Sequence, residues 1–240
     1  MVTAAILGAG KGLRLGSDTP KQFLSVGGEV ILLRSLRAFT ESGLCDRFYV
    51  LVPADAVDMT RGLIANASFP DNLRPRIRVM AGGESRGDTL LKLLEAMYAD
   101  PGFEETVLLT HDAVRPFVTA RMIADNIEAA GRYGACNTCV PAVDTVFLSA
   151  DGRFIDSVPP RSTVFHAQTP QSFCAGELYR LIRSTPPEVY ETLTDGCSVY
   201  TLHGRKVAMV QGSEDNIKIT YAADLQKAEL IAARRRETQT

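Results

Sequence analysis

The fold of this chain is decided by the stretch Ala5-Ile6-Leu7-Gly8-Ala9-Gly10-Lys11-Gly12-Leu13-Arg14-Leu15-Gly16-Ser17-Asp18-Thr19-Pro20-Lys21-Gln22. An apolar strand runs directly into a glycine-rich loop that carries two cations, Arg14 and Lys21. Glycine lets the backbone approach a ligand closely and turn its N–H groups toward anionic oxygens. Cations beside such a loop neutralise phosphate oxygens and stabilise a leaving group. The stretch therefore predicts a nucleotide site at the end of the first strand.

Two common phosphate-binding loops do not match this stretch. A Walker loop needs Ser or Thr after its lysine, whereas Gly12 follows Lys11. A dinucleotide fingerprint that starts at Gly8 would need its last glycine where the chain has Leu13. The missing glycine argues against an NAD-dependent oxidoreductase, which stays the alternative enzyme class. A non-catalytic nucleotide-binding module is the alternative that performs no chemistry.

The composition is typical of a soluble globular protein, with 240 residues, 45% hydrophobic, 22% charged and a formal net charge of −2. The lack of a basic excess argues against nucleic acid as a partner, and no apolar run is long enough to span a membrane. Arg234-Arg235-Arg236 predicts a solvated helix end. The chain starts directly in a strand, without a secretory signal. Five scattered cysteines indicate reduced thiols in a cytoplasmic protein, with Cys136 and Cys139 in the core.

Strands and helices alternate through the first two-thirds of the chain. The predicted strands cover residues 2–7, 48–52, 77–80 and 106–109. The predicted helices cover residues 30–40, 56–65, 88–98 and 120–130, with two more at 175–183 and 222–235. This alternation predicts a single α/β domain over residues 1–240, built on a doubly wound, mostly parallel sheet. Ligands bind such sheets at the carboxyl ends of the strands, so the loops that begin at Gly8, Gly82 and Thr110 should share one edge.

The alternation breaks between residues 140 and 170. Two β-like runs, 144–149 and 154–158, are joined by the turn Ala150-Asp151-Gly152. A lone hairpin is marginal in water, so this one needs a surface to pack on. Exchange of hairpins between two subunits would bury both and is naturally two-fold symmetric. We therefore expect a homodimer.

The fourth predicted strand is followed by the second informative stretch, His111-Asp112-Ala113-Val114-Arg115-Pro116. Mg²⁺ is usually held by one or two carboxylates together with phosphate, so Asp112, just past a buried strand end, is the candidate ligand. Arg115 is placed to hold phosphate or to pair with Asp112. We interpret His111 as structural, because phosphoryl transfer to a good nucleophile needs no general base. Asp215 and Lys218 supply a second carboxylate and a second ammonium group further along the chain.

Several short motifs occur in this chain in one order. They are Gly-x-Gly-x-Arg with Pro-Lys-Gln, His-Asp-Ala-x-Arg-Pro, Asp144-Thr145, Thr-Pro-Gln-x-Phe, Thr-Asp and Asp-Asn-Ile-Lys-Ile-Thr. Together they resemble the cytidylyltransferase family that makes CDP-methylerythritol and CDP-ribitol, from about residue 3 to residue 230. The resemblance implies a nucleotidyltransferase-type α/β sheet with a protruding β-hairpin arm, at about residues 140–165, that forms a homodimer. It also implies transfer of CMP from CTP to a small polyol phosphate, with release of pyrophosphate.

The resemblance implies a role for each candidate residue of the nucleotide site. Arg14, Lys21 and Lys218 would bind the CTP phosphates and stabilise charge during transfer. Mg²⁺, or another divalent cation, would be held by Asp112 and Asp215. The implied lining of the nucleotide site is Leu7, Gly8, Ala9, Gly10, Lys11, Gly12, Gly82, Gly83, Glu84, Thr89, Asp112 and Ala113. Within that set, backbone groups near Ala9, Gly10 and Gly83 would read cytosine, and Thr89 would lie near the ribose.

The polyol phosphate site is implied to combine residues of two subunits. Thr145 and Arg161, on the arm, would reach the substrate phosphate in the partner subunit, and Arg115 and Thr194 would complete the site. Val114 and the run Ser198-Val199-Tyr200 look closer to the ribitol phosphate branch, which we expect to supply the substrate. Asp215 before Asn-Ile-Lys is more typical of the methylerythritol branch, which is the alternative.

Overall fold

The computed structural model describes residues 1–10, 19–193 and 195–237. Nine strands lie in these ranges: β1 Val2–Leu7, β2 Ser25–Val26, β3 Glu29–Val30, β4 Arg47–Val52, β5 Ile77–Ala81, β6 Val107–Asp112, β7 Ala135–Pro141, β8 Phe165–Cys174 and β9 Ala208–Gln211. Eight α-helices accompany them: α1 Ile31–Glu41, α2 Val57–Asn66, α3 Arg86–Met97, α4 Ala120–Tyr133, α5 Ala175–Ser184, α6 Pro187–Tyr190, α7 Gly196–Leu202 and α8 Ala222–Glu237. None of these helices combines the length and apolar character needed to cross a bilayer.

Seven strands form one sheet in the order β5-β4-β1-β6-β8-β7-β9. Only β8 runs against its neighbours in this sheet, since it pairs antiparallel with both β6 and β7. The other pairings are parallel. The predicted doubly wound, mostly parallel sheet is therefore confirmed. β2 and β3 form a separate two-stranded hairpin.

Helices cover both faces of the large sheet because successive strand residues point to opposite sides. Val50 packs in one apolar cluster with Leu36 and Phe39 of α1. Leu51, its neighbour, packs in a second cluster with Leu93 of α3 and Leu178 of α5. The central strands are consequently buried on both sides, which explains their nearly continuous apolar sequence.

The carboxyl ends of β1, β5 and β6 meet at one edge, as the sequence predicts. Leu7 pairs with Asp112, and the Ala113 N–H donates to the Leu7 carbonyl at 2.9 Å. The loop after β5 is also adjacent, because a Cβ atom added to Gly82 would overlap that of Ala9. Glycine at position 82 is what allows these two loops to touch.

The arm connects β7 to β8 and begins where Pro141 pairs with Phe165. The two predicted β-like runs are largely wrong. Between Ala142 and Val164 the chain forms a single antiparallel bridge, Leu148 to Ser157. Side-chain carboxylates take up backbone N–H groups instead: Asp151 accepts from Arg153 and Phe154, and Asp156 accepts from Ala150. Such local bonds compete with a strand ladder. The large apolar side chains on the arm are exposed: Val143, Phe147, Leu148, Phe154, Ile155 and Val158.

The arginines at the end of α8 are partly solvated and partly bound to neighbouring segments. Arg234 forms an ion pair with Asp215, Arg235 donates to the Phe117 carbonyl at 2.9 Å, and Arg236 donates to the Gly27 carbonyl at 3.3 Å. Ala228, Ile231 and Ala232 of the same helix are buried against the β2–β3 hairpin and its surroundings. Arg234 and Arg236 are nevertheless exposed, as predicted for a solvated helix end, and Arg235 is the half-buried member that contacts Phe117.

Candidate active site

The Asp112 carboxylate, at the end of β6, is the centre of the site. Its Oδ1 atom forms an ion pair with Arg86, and its Oδ2 atom lies 3.0 Å from Lys218 Nζ and 3.4 Å from Arg115 Nε. Burial alone would raise the pKa of this carboxyl. The charges of Arg86, Lys218 and Arg115 outweigh burial and hold the pKa well below its ordinary value. Asp112 is therefore an ionised, buried carboxylate among three cations.

A line of hydrogen bonds braces this carboxylate from behind. The Asp112 N–H donates to Thr169 Oγ1 at 3.1 Å, and the Thr169 hydroxyl lies 2.9 Å from His111 Nδ1. His111 Nε2 lies 2.9 Å from the Arg115 carbonyl, which only accepts. The imidazole is fully buried, and burial lowers its pKa to about 4. His111 is thus a neutral structural residue, in agreement with its sequence interpretation.

Arg115 is almost fully buried and engaged on several sides. Besides Asp112, it donates to the carbonyl groups of Asn216 at 2.8 Å and Ala167 at 3.4 Å. Burial lowers its pKa, although the Asp112 charge opposes that effect. Of its two predicted partners, phosphate and Asp112, the structure shows Asp112. By holding the Asn216 carbonyl, Arg115 also fixes the segment that leads to Lys218.

Side chains hold the glycine-rich loops in place. Gln22 Nε2 donates to the carbonyl oxygens of Gly8 at 2.8 Å and Gly10 at 3.3 Å. In the other loop, the Gly83 N–H donates to Thr89 Oγ1 at 2.9 Å, and the Glu84 N–H donates to Asp88 Oδ2 at 2.9 Å. These bonds hold the backbone at Gly10 and Gly83, two positions near which the family resemblance implies contacts with cytosine.

Sequence reasoning missed Arg86, and it gave no separate role to Gln171 and Asp195, which lie in the Thr-Pro-Gln-x-Phe and Thr-Asp motifs. Arg86 reaches Gln171 Oε1 at 3.4 Å as well as Asp112. Gln171 Nε2 donates to Asp195 Oδ2 at 3.1 Å, and Asp195 caps α7 by accepting from the Ser198 N–H at 2.8 Å. Its position in the sequence could have indicated Arg86, because it stands four residues after Gly82, in a loop predicted to lie at the ligand edge of the sheet.

The remaining predicted residues divide into three groups. Lys21 lies half-buried in the short 3-10 helix Lys21–Phe23, on the same chain segment as Gln22. Thr145 and Arg161 lie exposed on the arm, where Arg161 donates to the Val143 carbonyl at 3.3 Å. No described contact joins either of them to the Asp112 cluster of the same chain. Four predicted residues lie outside the described ranges: Lys11, Gly12, Arg14 and Thr194.

A cavity of about 760 Å³ opens beside Arg115. Its polar lining includes His166, Gln168, Asn216 and Lys227. The volume falls in the range of small-molecule pockets, about 300–1,000 Å³. Arg115 is the residue that this cavity shares with the cation cluster, so a small molecule has room on that side of Arg115.

The Asp112 carboxylate is of the kind that binds a divalent cation together with phosphate oxygens. Within the described ranges, no group of three or more His, Cys, Asp and Glu side chains is placed to hold a metal ion. Mg²⁺ in nucleotide sites needs only one or two carboxylates, because phosphates and waters supply the other oxygens. Asp112 is ionised, and Asp215 supplies a second carboxylate, which pairs with Arg234.

Comparisons with known proteins agree on one family. The family described as IspD, 2-C-methyl-D-erythritol 4-phosphate cytidylyltransferase, matches residues 2–234. The 4-diphosphocytidyl-2C-methyl-D-erythritol synthase of Anaerococcus prevotii is 28% identical, with a TM-score of 0.79 over 96% of this chain and 95% of that one. The 2-C-methyl-D-erythritol 4-phosphate cytidylyltransferase of Thermus thermophilus is 30% identical, with a TM-score of 0.73 over 97% and 98%. That of Francisella tularensis is 27% identical, with a TM-score of 0.77 over 95% and 98%.

Proposed function

Since this chain belongs to the 2-C-methyl-D-erythritol 4-phosphate cytidylyltransferase family and is therefore a nucleotidyltransferase, we propose that it transfers CMP from CTP to 2-C-methyl-D-erythritol 4-phosphate. An oxygen of the polyol phosphate attacks the α-phosphorus of CTP, a new P–O bond forms, and the bond to pyrophosphate breaks. No covalent enzyme intermediate is needed. The supporting observation is the ionised Asp112 surrounded by Arg86, Arg115 and Lys218 beside two glycine loops.

The chemistry asked of the protein is positioning and charge stabilisation. Lys218, with Lys21 and Arg14, stabilises the charge that develops on the transferring phosphate and on pyrophosphate. The backbone near Ala9, Gly10 and Gly83 holds cytosine. Thr89 lies near the ribose, and its hydroxyl holds the loop there by accepting from the Gly83 N–H and donating to the Ser85 carbonyl.

Asp112 and Asp215 would hold Mg²⁺ or another divalent cation. When bound, the cation supplies positive charge to the triphosphate oxygens. Asp112 suits this role because neighbouring cations keep it ionised. Lys218 and Arg115 also contact this carboxylate, so a bound cation would share it with them.

The proposed substrate is methylerythritol phosphate and not ribitol phosphate, which a few residues of the sequence had favoured. Val114, one of those details, is buried in an apolar cluster with Ile31 and Phe117, so it has no access to a polyol. Similarly, Val199 and Tyr200 are buried in the core. Buried packing residues of this kind carry little information about the substrate. The matched family and the compared structures support methylerythritol phosphate instead.

The active unit in this proposal is a homodimer. The exposed apolar side chains of the arm, among them Phe147, Phe154 and Ile155, form a surface of the kind that a second subunit covers. Thr145 and Arg161 of one subunit would then contact the polyol phosphate bound in the other. Arg115 and Thr194 would complete that site.

Pyrophosphate release tests the reaction directly. The purified protein is mixed with CTP, Mg²⁺ and either methylerythritol 4-phosphate or ribitol 5-phosphate, and the assay is repeated with EDTA. We expect a kcat/KM at least about 10-fold higher for methylerythritol phosphate, because the substrate sites of polyol enzymes lose binding when hydroxyl partners are mismatched. EDTA should abolish turnover. Faster turnover of ribitol phosphate would reverse the substrate assignment, and no pyrophosphate from either would refute the reaction.

A further inference from the structure

Arg86 occupies a position that is unfavourable for a cation. It is the first residue of α3, directly after Ser85, whose side chain caps the helix by accepting from the Asp88 N–H. The amino end of a helix carries partial positive charge and favours anions. A cation placed there needs a compensating partner, and Arg86 has one in the ionised Asp112.

The contacts of Arg86 join separate parts of the site. Its guanidinium pairs with Oδ1 of Asp112 and lies 3.4 Å from Gln171 Oε1. Gln171 in turn donates to Asp195, the residue that caps α7. A planar guanidinium can hold a carboxylate and an amide at once, in fixed directions. Arg86 therefore connects the loop after β5 to the carboxylate after β6 and to the segment beside Thr194.

The two oxygens of Asp112 have different surroundings. Because Oδ1 is taken by Arg86, Oδ2 is the atom that faces Lys218 and Arg115. Rotation of the carboxylate would break this division. Holding the carboxylate in one orientation is thus a specific task, and among the described residues Arg86 is the one bound to Oδ1.

We propose that Arg86 is a positioning residue for the transfer reaction. It orients Asp112 toward the phosphates of CTP. Through Gln171 and Asp195 it also sets the position of the residues around Asp195, here called the polyol segment, relative to the loops that follow β1 and β5. This inference rests on the proposed function. It assigns to Arg86 no direct contact with either substrate.

The test compares Arg86→Met and Arg86→Lys with the wild-type protein by steady-state kinetics, calorimetry and thermal unfolding. For Arg86→Met we expect kcat to fall about 10²-fold and the KM for polyol phosphate to rise about 10-fold, the usual result of misplaced reacting groups. The Kd for CTP with Mg²⁺ should change less than about threefold. Arg86→Lys should recover little activity, because an ammonium group lacks the planar fork.

Arg47→Met is the matched control. Arg47 has the same side-chain exposure as Arg86, 29%, and pairs with a buried carboxylate, Asp100, at the opposite end of the strands. It should lower the Tm about as much as Arg86→Met while leaving kcat and KM within twofold. Gln171→Met breaks the connection from Arg86 to Asp195 and leaves the Arg86–Asp112 pair in place. It should raise the KM for polyol phosphate about fivefold or more, without changing kcat.

The outcomes are distinguishable from a failure of the reaction itself. If the wild-type protein releases no pyrophosphate, the proposed function fails before Arg86 is examined. If it is active and folded Arg86→Met or Arg86→Lys keeps kcat/KM within threefold, the positioning role is refuted. An unchanged KM in Gln171→Met refutes the connection to the polyol segment.

Discussion

Lys218 is the cation of the cluster that is free to change partner. Its side chain is 45% exposed, whereas Arg115 is nearly buried, and it lies 3.0 Å from Asp112 Oδ2. We expect Lys218→Ala and Lys21→Ala each to lower kcat about 10²-fold or more, because each ammonium offsets charge in the transition state. The variants should stay folded, although Lys218→Ala should lower the free energy of unfolding by about 1–2 kcal/mol, because the buried Asp112 carboxylate then keeps Arg86 and Arg115 but loses one cation.

Lys92→Ala is the control for Lys218→Ala. Lys92 is also 45% exposed and also pairs with a carboxylate, that of Asp88, at 3.1 Å. Both residues lie on α3, one helical turn apart, and Lys92 is not part of the Asp112 cluster. Turnover by this variant should match the wild-type protein. Near-normal turnover by folded Lys21→Ala or Lys218→Ala would remove that lysine from the mechanism.

His111 makes stability depend on pH. Its pKa is lowered to about 4 by burial, against an ordinary value near 6.5. A depressed pKa means that the unfolded chain binds the proton first, so the stabilisation is complete above pH 6.5 and is lost as pH falls toward 4. Between pH 7 and pH 5 we expect the free energy of unfolding to drop by about 2 kcal/mol through this residue.

The measurement is urea unfolding at pH 7 and pH 5 for the wild-type protein and His111→Gln. The variant should be less stable at pH 7 but should lose about 2 kcal/mol less than the wild-type protein on acidification. Asp112 does not confound this comparison. Its pKa is lowered in the folded protein, so its contribution to stability is lost only as the pH falls below about 4, the ordinary pKa of an aspartate. Equal losses in both proteins would contradict a neutral buried His111.

The end of helix α8 contributes unequally to stability. Arg235 stacks on the Phe117 ring, 5.2 Å from its centroid, and donates to the Phe117 carbonyl, whereas Arg236 is exposed and donates at 3.3 Å to Gly27. Arg235→Ala should therefore cost about 1–2 kcal/mol of unfolding free energy, and Arg236→Ala less than about 0.5 kcal/mol. Denaturant unfolding of both variants measures the difference. Equal effects would show that α8 is held by its apolar face alone.

Elements were predictable where the signal is local. Leu90, Leu93, Leu94 and Met97 recur at helical spacing, and all of them are buried on the inner face of α3. The position of Asp112 at the end of a strand was predictable, because the apolar residues before it mark that strand as buried. Arg86 was not, since its meaning depends on Asp112, 26 residues away, and Gln171, 85 residues away.

The same limit applies at two other places. Arg234 and Arg236 are exposed, as predicted, but the contacts of the three arginines with Asp215, Phe117 and Gly27 join distant parts of the chain and could not be predicted. On the arm, alternating apolar residues predicted strands, but Asp151 and Asp156 bind the backbone that a strand would need. Hydrophobic periodicity indicates which side chains are apolar on one face of an element, but it does not indicate which other segments cover that face.

A homodimer with shared active sites makes a sharp prediction about mixtures. Lys21→Ala and Arg161→Ala should each be inactive alone, since one lacks a cation and the other lacks the arginine offered to the partner subunit. In a mixed dimer both defects fall in one site, and the other site is intact. After subunit exchange at equal concentrations, about a quarter of wild-type activity should return, because half of the dimers are mixed.

The control is a mixture of Lys21→Ala with Lys218→Ala, two residues proposed to act in the same subunit, which should stay inactive. Sedimentation at the assay concentration reports the oligomeric state. A monomer that is fully active, or no recovery after confirmed exchange, would refute the shared site.

The cluster at the end of β6 has a consequence for how fast anions arrive. Arg86, Arg115 and Lys218 surround one carboxylate, so these four side chains leave two positive charges in excess, in a chain whose formal net charge is −2. The field of the protein then draws a triphosphate toward one edge of the sheet while the remaining surface repels it. Added salt screens this attraction, with a Debye length of about 8 Å at physiological ionic strength. We therefore expect added salt to slow the association of the nucleotide.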